Sequence, residues 1–343
     1  MKLNTLLDLM EPGISDLHLI VGEPPIFRSW GKLIRREAEP LTEEEITEML
    51  VGELPERLQA RFALDRRTVL SSVCHAGRRF RLSASWERGR PCAVLRVIPS
   101  KVPRLSELRI DDKPLEILKK FAQHTRGLVI VTGPTGSGKT TLMASLVEEI
   151  NATRAERIYT IVESIDYEFT NKESMITQQE LGNDFQDYPQ ALRDLLYADP
   201  DVVMLGTLNS LEAIAHALSL AETGHLVFVQ VGQASVVDAI QRLVHAFPES
   251  NRLEVQRQLS NTLNGVVAQQ LIPAIGGGRV PALEILIATP RIRQKIREGD
   301  FALQGMIEDS TNIGMQTMEG ALKALAASGT ITEELVQSRL PIS

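Results

Sequence analysis

The spacing of apolar residues changes character about a third of the way along the chain. In the first part the periodicity is short. Leu3 to Leu9 reads as a helical opening, and SDLHLIVG alternates as a strand from Asp16 to Val21. Gly22-Glu23-Pro24-Pro25 then leads into IFRSWGKLIRR, the pattern of a hairpin around Gly31. Residues 42–63 read as one helix, with Thr42 as N-cap and Glu45 completing a capping box. Three further strands are predicted near 67–73, 79–86 and 92–98. Pro99-Ser100-Lys101-Val102-Pro103 reads as the start of a linker, because two prolines in five residues resist both helix and sheet.

In the second part, continuous apolar runs alternate with helical spacing. GLVIVTG (127–133), IYTIV (158–162), MITQQ (175–179), DVVMLG (201–206) and LVFVQV (226–231) read as strands. Helices follow 139, surround 186–198, and cover 210–222, 235–246 and 249–264. Strands without polar alternation, separated by helices, predict a largely parallel sheet covered on both faces. VVAQQLIPA and VPALEILIAT read as a last hairpin around Gly276-Gly277-Gly278, and 290–341 as all-helical. The expected domains are 1–100, a linker at 101–112, a nucleotide-binding domain at 113–289, and a helical C-terminal extension at 290–343.

Composition adds little to this pattern and removes some functions. A chain of 343 residues, 43% hydrophobic and 24% charged, is ordinary for about two soluble domains. Its net charge of −7 argues against a general nucleic-acid binder. No apolar run reaches the ~18 residues of a membrane span. The opening MKLNTLLDLMEPG carries acidic residues within its apolar stretch, unlike a secretory signal. Cys74 and Cys92, the only cysteines, make neither a disulfide framework nor a metal site. A cytoplasmic protein is expected.

The strongest chemical signal is Gly133-Pro134-Thr135-Gly136-Ser137-Gly138-Lys139-Thr140, which fits G-x-x-x-x-G-K-[ST] between a strand and a helix. Its glycines let backbone N–H groups turn inward around phosphate oxygens, ahead of a helix N-terminus. Lys139 is placed to reach the β- and γ-phosphates and Thr140 to ligate Mg²⁺ through its hydroxyl, and Thr141 is a further nucleotide-binding candidate. ATP with Mg²⁺ is the expected ligand.

With that loop placed, the chain resembles the PilT-type ATPases of the type II/IV secretion and pilus superfamily. The resemblance covers nearly the whole length. It rests on SDLHL…GEPPIFR, RRFRLSAS…VLRVIPSK, the phosphate loop, ALRDLL…DPDVVMLG, LEAIAHALSLAETGHLVF and IGGGRVPALEIL. IRQKIREGD and GMQTM resemble segments of retraction motors in particular. The resemblance implies a PAS-like N-terminal domain and a RecA-like P-loop NTPase domain. It further implies a homohexameric ring, or a mixed ring with an active paralogue, at the cytoplasmic face of an inner-membrane pilus platform protein. Contact with the membrane would be peripheral. Of the arginines 78, 79, 81 and 96, it implies that Arg81 and Arg96 above all reach a nucleotide, some across a subunit boundary.

Several motif positions depart from the family's pattern. In Thr160-Ile161-Val162-Glu163-Ser164-Ile165-Asp166, Val162 stands at the catalytic glutamate position, and only a one-residue slip brings Glu163 into that role. After Asp201-Val202-Val203-Met204-Leu205-Gly206, Thr207, Asn209 and Ser210 replace an acid, an arginine and an acid. Gly232 stands at the histidine of the motif that follows GHLVF, Tyr197 at an arginine, and Gln270 at the arginine of Q-R-L. Together these positions predict ATP binding with weak or absent hydrolysis. The alternative is an active hexameric retraction ATPase for twitching motility or DNA uptake, with Glu163 as base. Asp201 is expected near Mg²⁺ through water, on the ground that it ends a strand at the sheet's carboxyl edge. His225 is expected to order the loop beneath the nucleotide, and Glu212 lies on a helix face. Met315 and Met318 read as gap-filling core residues.

Overall fold

The structure is a computed structural model that describes residues 2–30 and 32–339. The chain divides into two compact units. The first comprises Met1–Lys101 with Glu163–Phe169 and Gln179–Asp187; the second comprises Val102–Val162, Thr170–Gln178 and Tyr188–Ser343. The two short returns into the first unit follow strands of the second, and nothing in the local periodicity marks them.

In the first unit, α1 (Leu3–Asp8) precedes β1 (Ile14–Ile20), β2 (Ile26–Ser29) and β3 (Lys32–Arg35). The hairpin between β2 and β3 forms as expected, although Gly31 itself lies outside the described residues. The stretch expected as one helix is two, α2 (Glu43–Glu53) and α3 (Glu56–Ala63). Thr42 does build the capping box with Glu45. The break comes at Leu54-Pro55, because proline has no N–H to continue the helix and the residue before it turns extended. Then come β4 (Val69–His75), β5 (Arg78–Glu87) and β6 (Arg90–Val97). Ala76-Gly77 and Arg88-Gly89, all at positive φ, close these hairpins in two residues. Such short turns fix the register, so Arg81 lies directly across from Arg96. Among the described residues this is a six-stranded antiparallel sheet in the order β3-β2-β1-β6-β5-β4. Leu6, Leu7, Leu17, Leu50, Phe80 and Leu82 are in its core.

The second unit begins inside the stretch expected as a linker. Val102 and Leu105 are buried, and a 3₁₀ turn at Leu105–Glu107 leads into α4 (Asp112–Gln123). Next are β7 (Gly127–Thr132), α5 (Lys139–Thr153), β8 (Arg157–Val162), β9 (Met175–Glu180) and α6 (Tyr188–Leu195). They are followed by β10 (Val202–Thr207), α7 (Leu211–Glu222), β11 (Leu226–Gln230), α8 (Val236–His245) and α9 (Glu249–Thr262). The hairpin β12 (Leu263–Pro273) and β13 (Arg279–Ile287) comes last in the sheet. Its described order is β13-β12-β7-β11-β10-β8-β9, with β12, β7, β11, β10 and β8 parallel and β13 antiparallel. Every residue of β7 is buried, as a central parallel strand requires.

The C-terminal stretch holds α10 (Pro290–Glu298), α11 (Gln304–Glu308), α12 (Met318–Ala327) and α13 (Glu333–Arg339). It is not purely helical. Gln316 bridges Ile285 through two backbone hydrogen bonds of 2.8 and 3.0 Å. That bridge ties the extension to β13. Met315 is buried, and Ala321, Leu322, Leu325 and Val336 pack on Ile272, Val280 and Ala282 of the hairpin.

Candidate nucleotide site

Strand β7 delivers the chain to the phosphate loop, and the three loop glycines each need a left-handed backbone. Gly133, Gly136 and Gly138 have φ of 142°, 78° and 89°. A side chain at Gly133 or Gly138 would collide with Gln269 of β12. A Cβ at Gly133 would lie 2.3 Å from the Gln269 carbonyl oxygen, and one at Gly138 would lie 2.5 Å from its side-chain nitrogen. The loop then enters α5 at Lys139, where unpaired backbone N–H groups and the helix dipole favour an anion.

Lys139 is 8% exposed and bends back onto its own loop, donating to the carbonyls of Gly133 at 2.8 Å and Pro134 at 2.9 Å. Burial pulls its ammonium below the usual lysine range. A cation held only by peptide dipoles is electrostatically under-compensated, and a phosphate can repay it. Ser137 is buried beside it, with its hydroxyl unpartnered. Thr140 and Thr141 are half-buried in the first turn of α5, and Pro134 and Thr135 are exposed.

The strand ends beside the loop are neutral. Thr207, at the end of β10, accepts a hydrogen bond of 3.2 Å from the Gln230 amide at the end of β11. Thr132 donates its hydroxyl to the Gln233 carbonyl at 2.7 Å. Gly232 has open space where a side chain would project. Ser210 caps α7 by accepting from the Ala213 N–H at 3.1 Å, and Glu212 is exposed in the first turn. The second missing acid position therefore remains an N-cap.

Two expected residues lie at the wrong end of the sheet. Asp201 precedes β10 instead of ending it, and its carboxylate accepts from the Arg157 N–H at 2.8 Å. Six residues of strand, about 20 Å at ~3.3 Å each, separate that edge from the phosphate-loop edge. Asp201 is thus removed from any metal at Thr140. His225 immediately precedes β11 at the same far edge. Its Nδ1 lies 2.9 Å from the Leu220 carbonyl and so carries the proton. It fastens the turn after α7, not the phosphate loop. The parallel register of Gly127, Leu226, Val202 and Ile158 puts both residues there.

The two adjacent glutamines of β12 differ in what they meet. Gln270 was expected to replace a nucleotide-facing arginine, yet Gln269 meets the loop, donating to the Ser137 carbonyl at 2.7 Å. Neighbouring strand residues face opposite ways, so Gln270 turns from it.

The first unit gathers the arginines. Arg81 and Arg96 sit opposite each other on β5 and β6, each with its own carboxylate: Asp166 at 2.7 Å and Asp16 at 2.6 Å. Burial raises the Asp166 carboxyl, more than Arg81 and Arg96 lower it. At Asp16 burial also acts upward, but hydrogen bonds from Arg96 and Ser15 bring the net shift below the usual range. Arg79 reaches Glu168 and Glu180, at 3.5 and 3.3 Å, and Arg78 lies over the Phe80 ring. Glu180, 2% exposed, also accepts from Ser72 at 2.8 Å, the Ile165 N–H at 3.0 Å and Asn183 at 2.5 Å. That carboxylate pins both returning segments to the sheet. No spacing in the sequence points to it, since its partners lie up to 108 positions away. Glu163 opens the first of those segments, next to Val162 at the end of β8.

Residues 27–280 match a family model described as type II/IV secretion system protein. The chain is 38% identical over 331 residues to a Pseudomonas aeruginosa protein named type IV pilus retractation ATPase PilT, covering 96% of this chain and 95% of that one. It is 36% identical to type IV pilus ATPase PilU of the same organism, covering 97% and 87%. A crystal structure described as the pilus retraction motor PilT with bound ADP superposes with a TM-score of 0.88 at 35% identity, covering 100% of this chain and 98% of that one.

Proposed function

The chain belongs to the type II/IV secretion system protein family, and from that premise we propose that it is a PilT/PilU-like type IV pilus ATPase that takes ATP with Mg²⁺ on the loop 133–140. The observation that carries this is Lys139, buried at the start of α5 and donating to two loop carbonyls. Backbone N–H groups of the Gly133–Thr140 loop would surround the phosphates, the Lys139 ammonium would exchange the loop carbonyls for phosphate oxygens, and the Thr140 hydroxyl would hold the ion. Mg²⁺ supplies charge neutralisation across the phosphates when bound.

Two versions of this reading differ in chemistry. In the first the protein is a working retraction motor: Glu163 serves as base, and Arg81 and Arg96 leave Asp166 and Asp16 to stabilise the transferring phosphoryl group. Likeness to PilT over nearly the full length supports it. In the second, hydrolysis is impaired and the protein regulates or completes a pilus machine as an ATP-bound subunit. The hydrogen-bonded pair Thr207–Gln230 favours that version, because neither side chain carries the charge that positions Mg²⁺ or water. In both, the partners are further subunits in a ring, its own copies or an active paralogue, and a platform protein at the inner membrane's cytoplasmic face.

The deciding measurement is ATP affinity and steady-state turnover of the purified protein, with Lys139→Ala as blank. Binding with turnover well above the blank selects the motor. Binding with turnover at the blank's level selects the impaired subunit. No binding by the parent protein removes both.

A further inference from the structure

Gln269 touches the phosphate loop more closely than any sequence motif announces, and two features set it apart from ordinary packing. Its amide nitrogen donates to the Ser137 carbonyl at 2.7 Å across 132 residues of sequence, and its main-chain carbonyl oxygen lies 2.3 Å from where a Cβ of Gly133 would sit. Its side chain is also the obstacle to any Cβ at Gly138. Two of the loop's three left-handed glycines are thus demanded by this one residue as well as by an approaching phosphate. The second feature is incomplete hydrogen bonding. Gln269 Oε1 and Ser137 Oγ are both buried and unpartnered, although the residues are only 4% and 3% exposed. Buried polar groups without partners are expensive and persist where something else fixes the geometry.

We propose that Gln269 is a positioning residue for nucleotide binding: it holds the Ser137 peptide so that the loop's N–H groups point into the anion space. The inference rests on the nucleotide reading above. Ser137 O and Ser137 N belong to the two peptide planes flanking one residue. A donor fixed on the carbonyl restrains rotation of the Ser137–Gly138 peptide and with it the Gly138 N–H, which lies in the same plane and points the opposite way. Glycine at 138 has no side chain to limit its own rotation, so the restraint must come from outside the loop. Gln269 supplies it from β12, which is hydrogen-bonded to β7 on one side and β13 on the other and cannot shift locally. Pre-organisation of this kind lowers the ordering cost of binding and is felt by every phosphate-bearing ligand alike.

Two variants test it, each measured with fluorescent ATP and ADP analogues against the parent protein. Gln269→Met keeps volume and removes the donor. It is expected to weaken both nucleotides about tenfold, the size of one lost hydrogen bond to a pre-organised loop, and to lower the thermal stability of the apo protein, since the buried Ser137 carbonyl loses its donor. Gln269→Glu presents an acceptor to the Ser137 carbonyl at pH 8 and loses affinity too. Below the pH at which that buried carboxyl protonates, its O–H replaces the amide donor, and affinity relative to the parent at the same pH recovers. That recovery distinguishes positioning from packing and stands alone if the Met variant fails to fold. Parent-like affinity in Gln269→Met, or a Gln269→Glu deficit that stays constant with pH, overturns the proposal while leaving the nucleotide reading intact. A parent protein that binds neither nucleotide overturns both.

Discussion

At one edge of the seven-stranded sheet, Lys139 rests on two loop carbonyls and Thr207 on the Gln230 amide; at the other, Asp201 takes the Arg157 N–H and His225 the Leu220 carbonyl. The same strands supply both edges, and both carry residues of the kind that chemistry uses. The difference lies in what the partners leave over. Asp201 and His225 complete main-chain hydrogen bonding where strands begin, and each is matched to its acceptor or donor. Lys139 keeps a full charge against partial dipoles in a desolvated place. Polar groups at the strand starts fasten structure, and the Lys139 ammonium beside the neutral strand ends is left for a ligand to compensate.

Replacing residues on each side sharpens that contrast. Lys139→Ala should have the largest effect, weakening ATP by about 100-fold, with the apo fold intact by circular dichroism. Thr207→Glu comes next. If the neutral strand end limits chemistry, restoring a carboxylate raises ATP turnover, towards the ~10²-fold that one positioned acid or base contributes. Turnover that falls or stays level in Thr207→Glu, from a parent that already hydrolyses, favours the working motor. On the far edge, Asp201→Ala should cost about 1 kcal/mol of stability for the lost acceptor, read by urea unfolding, and leave ATP affinity within about twofold. A tenfold loss of Mg-ATP affinity there would break the distinction between the edges.

The smallest expected effect tests a buried acid between strand and helix. Glu284 of β13 accepts from the Val236 N–H at 2.9 Å, where α8 starts. Burial raises its carboxyl above the ordinary 4.5, with the Val236 hydrogen bond acting downward and Asp238 upward. A group whose folded pKa is raised gives its full stability below the unfolded value and loses it as pH rises through the folded one. Glu284→Gln, neutral throughout, should therefore melt above the parent at pH 8, with the gap closing towards pH 4.

The sequence by itself determined what is local. Strand, glycine turn and helix follow one another within the loop, so Gly133 to Thr140 is legible from neighbouring residues alone. The same holds for the Thr42 capping box and the strand–helix alternation, since each depends on contacts a few positions apart. Pro55 divides the stretch that the apolar periodicity reads as one helix. What the tertiary structure decided depends on register and pairing. Chain direction makes Asp201 the start of DVVMLG, but only the parallel register of β7, β11 and β10 shows that the phosphate loop lies at the opposite, carboxyl edge. One residue's parity separates Gln269, which meets the loop, from Gln270, which faces away. The returns of 163–169 and 179–187 to the first sheet, pinned by Glu180 to Ser72 and Arg79, leave no periodic trace. Each of those pairings joins residues about a hundred positions apart, and chain connectivity places no constraint on which buried carboxylate finds which donor; packing and desolvation do.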